Sequence, residues 1–248
     1  MQTEEYQKMR DQEDHYWWFV ARRRLALTLL ADSVRPDATV LDLGSGTGAV
    51  LAELQARYQA VGMDFSPHAL AFSRERGLKL LVGGDAEACP FADASFDAVV
   101  TLDTLEHVRN DAKAVSEIYR ILRPGGVLIM NVPAFRWLWG PHDVALMHFR
   151  RYTKPQVCAL LRSAGLDVKR ASYSVFLLFP VVVAIRILER FRRGPAKVRL
   201  PNVSSGLNRR LLGLMEFEGR LWQRGNLPYG SSLVAIATKP LTSSDSSA

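Results

Sequence analysis

Two features are scarce in this chain, and each absence narrows its class. Only two cysteines occur among 248 residues, Cys89 and Cys158, and they lack metal-ligand spacing. Neither a disulfide scaffold nor a cysteine zinc site is therefore expected. No apolar run reaches the ~20 residues that a membrane-spanning helix needs. The most hydrophobic stretch, SVFLLFPVVVAI (174–185), contains Pro180 and stops at Arg186. The opening MQTEEYQK is acidic and shows no apolar signal core, so a cytoplasmic location is the expectation. Internal repeats and low-complexity segments are missing from the core as well.

What is present is a globular composition with an uneven charge. An apolar fraction of 48% supports a full core, and the length suits one elaborated domain. The formal net charge is +7, and residues 186–224 alone hold ten basic and three acidic residues. The rest of the chain is near neutral, so the excess marks one region and one kind of surface rather than the whole molecule.

The most informative decapeptide is VLDLGSGTGA (40–49). A hydrophobic strand ends in an acid, Asp42, and glycines at 44, 46 and 48 lead into a helix. Gly44 and Gly46 allow a turn at positive φ and let a ligand reach bare backbone. The helix start offers unpaired N–H groups, a seat for a polar or anionic group. The spacing alone also fits a dinucleotide fingerprint, with Asp64 near the ~20-residue offset of a ribose-binding acid. An NAD(P)-dependent oxidoreductase is therefore one alternative.

The segments downstream decide between the two. In order they are LDLGSGTG (41–48), VGMDFSPHAL (61–70), GGDAEACPFADASFDAVV (83–100), LEHV (105–108) and LRPGGVLIMNVP (122–133). Together they make the chain resemble the class I S-adenosylmethionine-dependent methyltransferases, in the branch that includes the ubiquinone and menaquinone biosynthesis enzymes. The resemblance covers the cofactor half well and the substrate half poorly.

Strand–helix alternation begins at 39, which favours a parallel sheet covered on both faces. Strands are expected at 39–43, 59–63, 79–83, 96–101, 126–131, 167–173 and 231–239, and helices at 47–57, 67–76, 111–123 and 154–164. The fold read from these and from the resemblance is α/β: a Rossmann-like, doubly wound, seven-stranded, mostly parallel sheet with an antiparallel last strand. It is read as a single domain over 1–240, with an N-terminal helical lid (1–37), a cofactor-binding core (38–173), a helical insertion (174–230) before the last strand (231–239), and a tail (240–248) that frays. Residues 5–30 read as helix. Trp17, Trp18 and Phe19 are adjacent and cannot all face one side of it.

The resemblance implies S-adenosyl-L-methionine as cofactor and places its contacts. Asp42, Gly44, Ser45 and Gly46 would meet the amino-acid end. Asp64 would accept from both ribose hydroxyls, its two oxygens matching a vicinal diol. Phe65 would shape the adenine slot, Asp85 and Ala86 would meet the adenine amino group, and Leu102 would touch the cofactor from below.

Methyl transfer from a sulfonium is an in-line displacement, so alignment alone supplies much of the catalysis. A base is needed only for a weakly acidic acceptor. Candidates are His107 in LEHV, where an imidazole can take a proton at neutral pH, and His142, His148 and Tyr152 in WLWGPHDVALMHFRRYT (137–153). Arg150 and Arg151 in that loop are candidate anchors for an anionic acceptor. Metal ligation by His142, Asp143 and His148 is set aside because no i, i+4 histidine pair is present.

In the insertion, Ile185 and Leu188 share one helical side and Arg186, Arg190 and Arg193 the other. A second stretch sets Leu207, Leu211, Leu214 and Leu221 against Arg209, Arg210, Glu216 and Arg220. Two readings follow. The apolar faces pack inward as a cap, or 174–224 meets an anionic membrane surface and receives a lipid-like acceptor. Nucleic acid is disfavoured, as no stacking platform accompanies the arginines. The expected activity is methyl transfer to a small-molecule or lipid-like acceptor, by a protein that is cytoplasmic or peripheral at the inner face of a membrane. A silent cofactor-binding partner or sensor is the alternative.

Overall fold

The computed structural model describes residues 3–190 and 203–241. Two helices open it, α1 (Thr3–Gln12) and α2 (Trp17–Ala31), followed by β1 (Thr39–Leu43), α3 (Ala49–Gln55), β2 (Gln59–Asp64), α4 (Pro67–Glu75), β3 (Leu81–Gly83) and β4 (Phe96–Leu102). Then come α5 (Asp111–Ile121), β5 (Leu122–Pro133), α6 (Pro141–Ala145), α7 (Lys154–Ser163), β6 (Asp167–Ser174), α8 (Phe179–Arg190), α9 (Ser205–Arg224) and β7 (Ser232–Thr238).

The seven strands form one sheet in the order β3-β2-β1-β4-β5-β7-β6. β1 pairs in parallel with β2 and β4, and only β7, wedged between β5 and β6, runs antiparallel to its neighbours. Two apolar layers cover the sheet. Leu41, Leu43, Val99 and Leu128 face α5 and α7, whereas Val40, Val100, Ile129 and Trp222 pack with α2, α3 and α9. A strand covered on both faces reads as a continuous apolar run, as β1 and β4 do.

The helices start where their caps stand. Ser66 accepts from the Ala69 N–H with Pro67 next to it, Asn110 accepts from Lys113, and Thr153 and Gln156 form a capping box for α7.

Two expectations need correction, and one open alternative is resolved. The helix read over 5–30 is two helices, broken at residues 13–16, with Tyr16 in extended backbone before α2. The break lets α2 bury Leu27 and Leu30 on the sheet while α1 turns away toward the glycine loop. The strand expected to begin at 126 begins at Leu122, because Phe96 pairs with Leu122 before the ladder resumes at Ala98 and Val127; the LRPGG turn is an irregularity inside β5. Of the two readings of the insertion, the inward cap does not hold for α8, which turns its apolar side outward. Val181 and Leu188 are 54% and 63% exposed, while Arg186 lies inside, paired with Glu189 at 2.8 Å and close to Gly140. Arg192 and Arg193 lie outside the described residues, as does the tail from 242 onward.

Candidate functional site

The C-terminal ends of β1, β2, β4 and β5 meet at the edge where ligands bind in open α/β sheets. After β1 the chain folds back on β2: Gly44 and Ser45 donate to the Met63 carbonyl at 2.8 and 3.0 Å. Gly44 sits at φ +78°, and a side chain there would collide with Thr104. Asp64, ending β2, accepts from the Gly46 N–H and the Ser66 N–H, each at 2.8 Å. This carboxylate therefore ties the glycine loop to the start of α4.

Two groups in this loop lack partners. Asp42 Oδ2 and Ser45 Oγ are buried with no hydrogen bond, a state that costs free energy unless something else completes them. Burial, reinforced by the nearby charge of Asp64, pushes the Asp42 carboxyl up to about 7. Burial also raises Asp64 above the ordinary carboxylate range. Helix α1 lies across this loop. Met9 closes on Gly46, and Glu13 accepts from Thr47 Oγ1 and pairs with Arg76, both at 2.5 Å.

Beside the loop a narrow cavity of about 30 Å³ runs between α2, α9 and the sheet edge, lined by Trp18, Arg22, Leu102, Asn131, Met215 and Glu218 among others. Its walls are apolar and its floor is polar. Asp103, just past β4 at φ +55°, pairs with Arg22 and accepts from Asn131 Nδ2 at 2.5 Å. Arg22 also lies 4.7 Å from the Trp18 ring centre. Glu218 holds the far wall by accepting from the Val175 and Leu177 N–H groups at 2.5 and 2.8 Å.

A third group of side chains is a polar knot on the opposite flank of β4. His107, in a short 3-10 turn, meets the His148 ring at 4.6 Å between centres, and His142 lies 6.4 Å from His148. Asp143 accepts from Arg151, from the Gly140 N–H, and faces His148 Nδ1 at 3.0 Å. These donors hold its carboxyl well below the usual range despite its burial. Burial lowers His107 to about 3 and His142 to about 4. Both imidazoles are thus neutral and weakly basic at neutral pH.

The sequence profile of a family described as a methyltransferase domain matches residues 41–130. A probable S-adenosylmethionine-dependent methyltransferase of Mycolicibacterium smegmatis is 32% identical over 162 residues, 63% of this chain and 62% of that protein. The demethylmenaquinone methyltransferase of Beutenbergia cavernae is 42% identical over 105 residues, 42% of this chain and 44% of its own length. Residues 41–130 thus resemble a methyltransferase domain, and the chain is similar to S-adenosylmethionine-dependent methyltransferases. It spans less than two thirds of either relative. Among solved structures, a SAM-dependent methyltransferase of Thermotoga maritima superposes with TM-score 0.60 at 19% identity, covering 95% of both chains. The [4+2]-cyclase SpnF does so with TM-score 0.59 at 21% identity, covering 89% of this chain and 81% of its own. These two likenesses speak for the fold.

The class I methyltransferase cofactor, S-adenosylmethionine, fits the glycine loop. The orphaned Asp42 and Ser45 atoms suit its amino-acid end, and Asp64 retains acceptor capacity beyond its two N–H partners. Asp85 is exposed, accepting from the Glu87 N–H at 2.9 Å, with Ala86 buried beside it. Leu102 lines the cavity, and Phe65 is exposed.

The structure brings His107, His142 and His148 together. Tyr152 is separate from them. It is buried, its hydroxyl donates to Asp111 Oδ2 at 2.9 Å, and burial with that neighbouring charge raises its pKa far beyond use as a base. Arg151 is engaged with Asp143, and Arg150 with Asp111 and the Arg109 carbonyl, so neither is free to anchor an acceptor. Sequence reasoning missed Arg22, Asp103 and Asn131. The position of Asp103 directly after an apolar strand was a usable signal; Arg22 carried none within its run of three arginines.

Proposed function

We propose that this protein transfers a methyl group from S-adenosylmethionine to a small or lipid-like acceptor admitted beneath α2 and α9. The observation that carries the reading is one sheet edge that joins the two orphaned acceptors of the glycine loop, Asp42 and Ser45, to an apolar cleft with the Arg22–Asp103–Asn131 floor.

The cofactor would supply the electrophilic methyl on its sulfonium. The chain's own residues do the rest. Asp42 and Ser45 would hold the amino-acid end, and Asp64 the ribose. Asp85 and Ala86 would meet the adenine, with Leu102 beneath it. Tyr6, Met9 and Glu13 of α1 and its exit would act as the lid that excludes water. The apolar walls would align the acceptor, which is where proximity catalysis resides. With space for about one water, the cleft must widen between α2 and α9 to take an acceptor.

A lipid-like acceptor is supported by the demethylmenaquinone methyltransferase relatives and by the outward apolar face of α8. A groove of about 450 Å³ lined by Phe179, Val183, Ile187 and Tyr229 opens on that face. The basic residues of 186–224 complement an anionic lipid surface. No helix among the described residues is long and apolar enough to cross a membrane.

The deciding experiment is calorimetric titration with S-adenosylhomocysteine, with NAD as comparison and Asp64→Ala as control. Binding of the homocysteine nucleoside alone, lost in the variant, supports the reading. An NAD signal with silence toward S-adenosylhomocysteine refutes it. Transfer of labelled methyl to any member of a panel of quinol and other lipid acceptors would exclude a silent cofactor-binding sensor.

A further inference from the structure

Glu106, His107 and His148 are drawn together from two separate loops, the first two from the turn after β4 and the third from the segment after α6. Their ligand atoms all lie within 4.8 Å of one another. Glu106 is fully buried, and neither of its carboxylate oxygens has a hydrogen-bond partner. His148 is engaged on its other side, its Nδ1 facing Asp143 Oδ1 at 3.0 Å, and its ring meets the His107 ring edge-on at 4.6 Å between centres.

A neutral imidazole that donates through one nitrogen presents a lone pair on the other. An imidazole nitrogen from each histidine and a carboxylate oxygen therefore lie around one small space, and the buried carboxylate has no donor. A fully buried carboxylate without a donor is costly as it stands. A divalent cation satisfies all three at once.

We propose that Glu106, His107 and His148 bind a divalent transition-metal ion, zinc foremost. The donor set of two imidazole nitrogens and one carboxylate suits zinc, iron(II) or manganese better than calcium or magnesium. Ligand atoms about 2.0–2.2 Å from zinc sit roughly 3.5 Å apart, so side-chain rotations of about 1 Å close the site. Asp143 completes the arrangement as the outer carboxylate that fixes the His148 ring, itself pinned by Arg151 and the Gly140 N–H. Three protein ligands leave one coordination position open. His142 stands outside the trio and is not required. Spacing along the chain hides the site, because its carboxylate and one imidazole are neighbours in sequence and its third ligand is 41 residues on. The site does not depend on the methyl-transfer reading.

The test uses the full chain, stripped with a chelator and titrated with Zn²⁺ in competition with a chromophoric chelator, and separately with Co²⁺ followed by visible absorption. One ion per chain is expected, with an intense low-symmetry Co²⁺ spectrum and a higher thermal midpoint on adding Zn²⁺. Glu106→Gln and His148→Gln should each weaken binding by about 100-fold or more, since loss of outer partners alone costs 10–100-fold. Far-ultraviolet circular dichroism identifies any variant that fails to fold, and the wild-type Co²⁺ spectrum decides the matter independently of variants. A wild-type chain that leaves Co²⁺ with its aqueous spectrum and does not compete for Zn²⁺ overturns the proposal. So do folded variants that bind as the wild type does.

Discussion

Arg151 grips Asp143 with two prongs, Nε to Oδ1 at 2.7 Å and Nη2 to Oδ2 at 3.1 Å, and both side chains are out of solvent. Removing one partner of such a pair leaves an uncompensated buried charge, which costs about 3–5 kcal/mol. Arg151→Ala should lower unfolding stability by that amount in urea titrations. Arg151→Lys should recover only part, because an ammonium cannot reproduce the fork. A loss under about 1 kcal/mol would mean that water reaches Asp143. The sign with pH follows from the lowered pKa of Asp143. Its stabilising contribution is present above the ordinary carboxylate range and is lost as pH falls through its depressed folded value.

Asp42 behaves in the opposite sense. Its pKa, raised to about 7 by burial and by Asp64, makes it neutral in the folded protein at mildly acidic pH. The neutral form favours folding at low pH, and that contribution is lost as pH rises through 7. A bound cofactor ammonium would favour the charged carboxylate, so binding would release a proton. Affinity for S-adenosylhomocysteine should therefore rise by up to about tenfold per pH unit below 7 and level off above it. Calorimetry in buffers of different ionisation enthalpy counts the proton. Asp42→Asn should flatten the profile; an unchanged slope would assign the proton elsewhere.

The cofactor half was legible because its elements carry local signals: apolar strands, Ser66–Pro67, and the glycines after Asp42. These are set by steric and capping rules that act within a few residues. What escaped the sequence depends on distant partners. Arg22 meets Asp103 across 81 positions, and Glu106 joins His148 only because the segment after β5 folds back over β4. The orientation of α8 stayed open between two readings for a related reason. Amphipathicity identifies two faces of a helix but does not tell which one turns inward when the inner wall, at Gly140, offers room for Arg186.

Glu218 holds the junction between β6 and α8. Its two oxygens accept from the Val175 and Leu177 N–H groups, and Val175 sits at φ +59°, a conformation that β-branched residues avoid. Glu218→Ala would strip both acceptors and leave buried donors unpaired, at about 1–3 kcal/mol for each. Thermal melts should show the loss, and hydrogen exchange should quicken at 175–190 while β1 and β4 remain protected. Glu218→Gln should lie between the two, as its carbonyl keeps one acceptor. Equal protection of 175–190 in all three proteins would mean that packing alone holds the junction.

The outward face of α8 predicts a lipid-dependent behaviour. Val181, Ile185 and Leu188 offer apolar area to a surface, and the basic residues of 186–224 supply attraction of about 1 kcal/mol each near anionic headgroups. Vesicles rich in phosphatidylglycerol should sediment with the protein, neutral phosphatidylcholine vesicles much less, and added salt should weaken the interaction. Leu188→Glu should reduce binding at any salt because it removes buried area and adds repulsion. Charge reversal at Arg192 and Arg193 should reduce it mainly at low salt, because only the long-range attraction is altered. The two variants thus separate insertion from steering. If both vesicle types leave the protein in solution, the α8 face has another use, and the acceptor reaches the cleft from water.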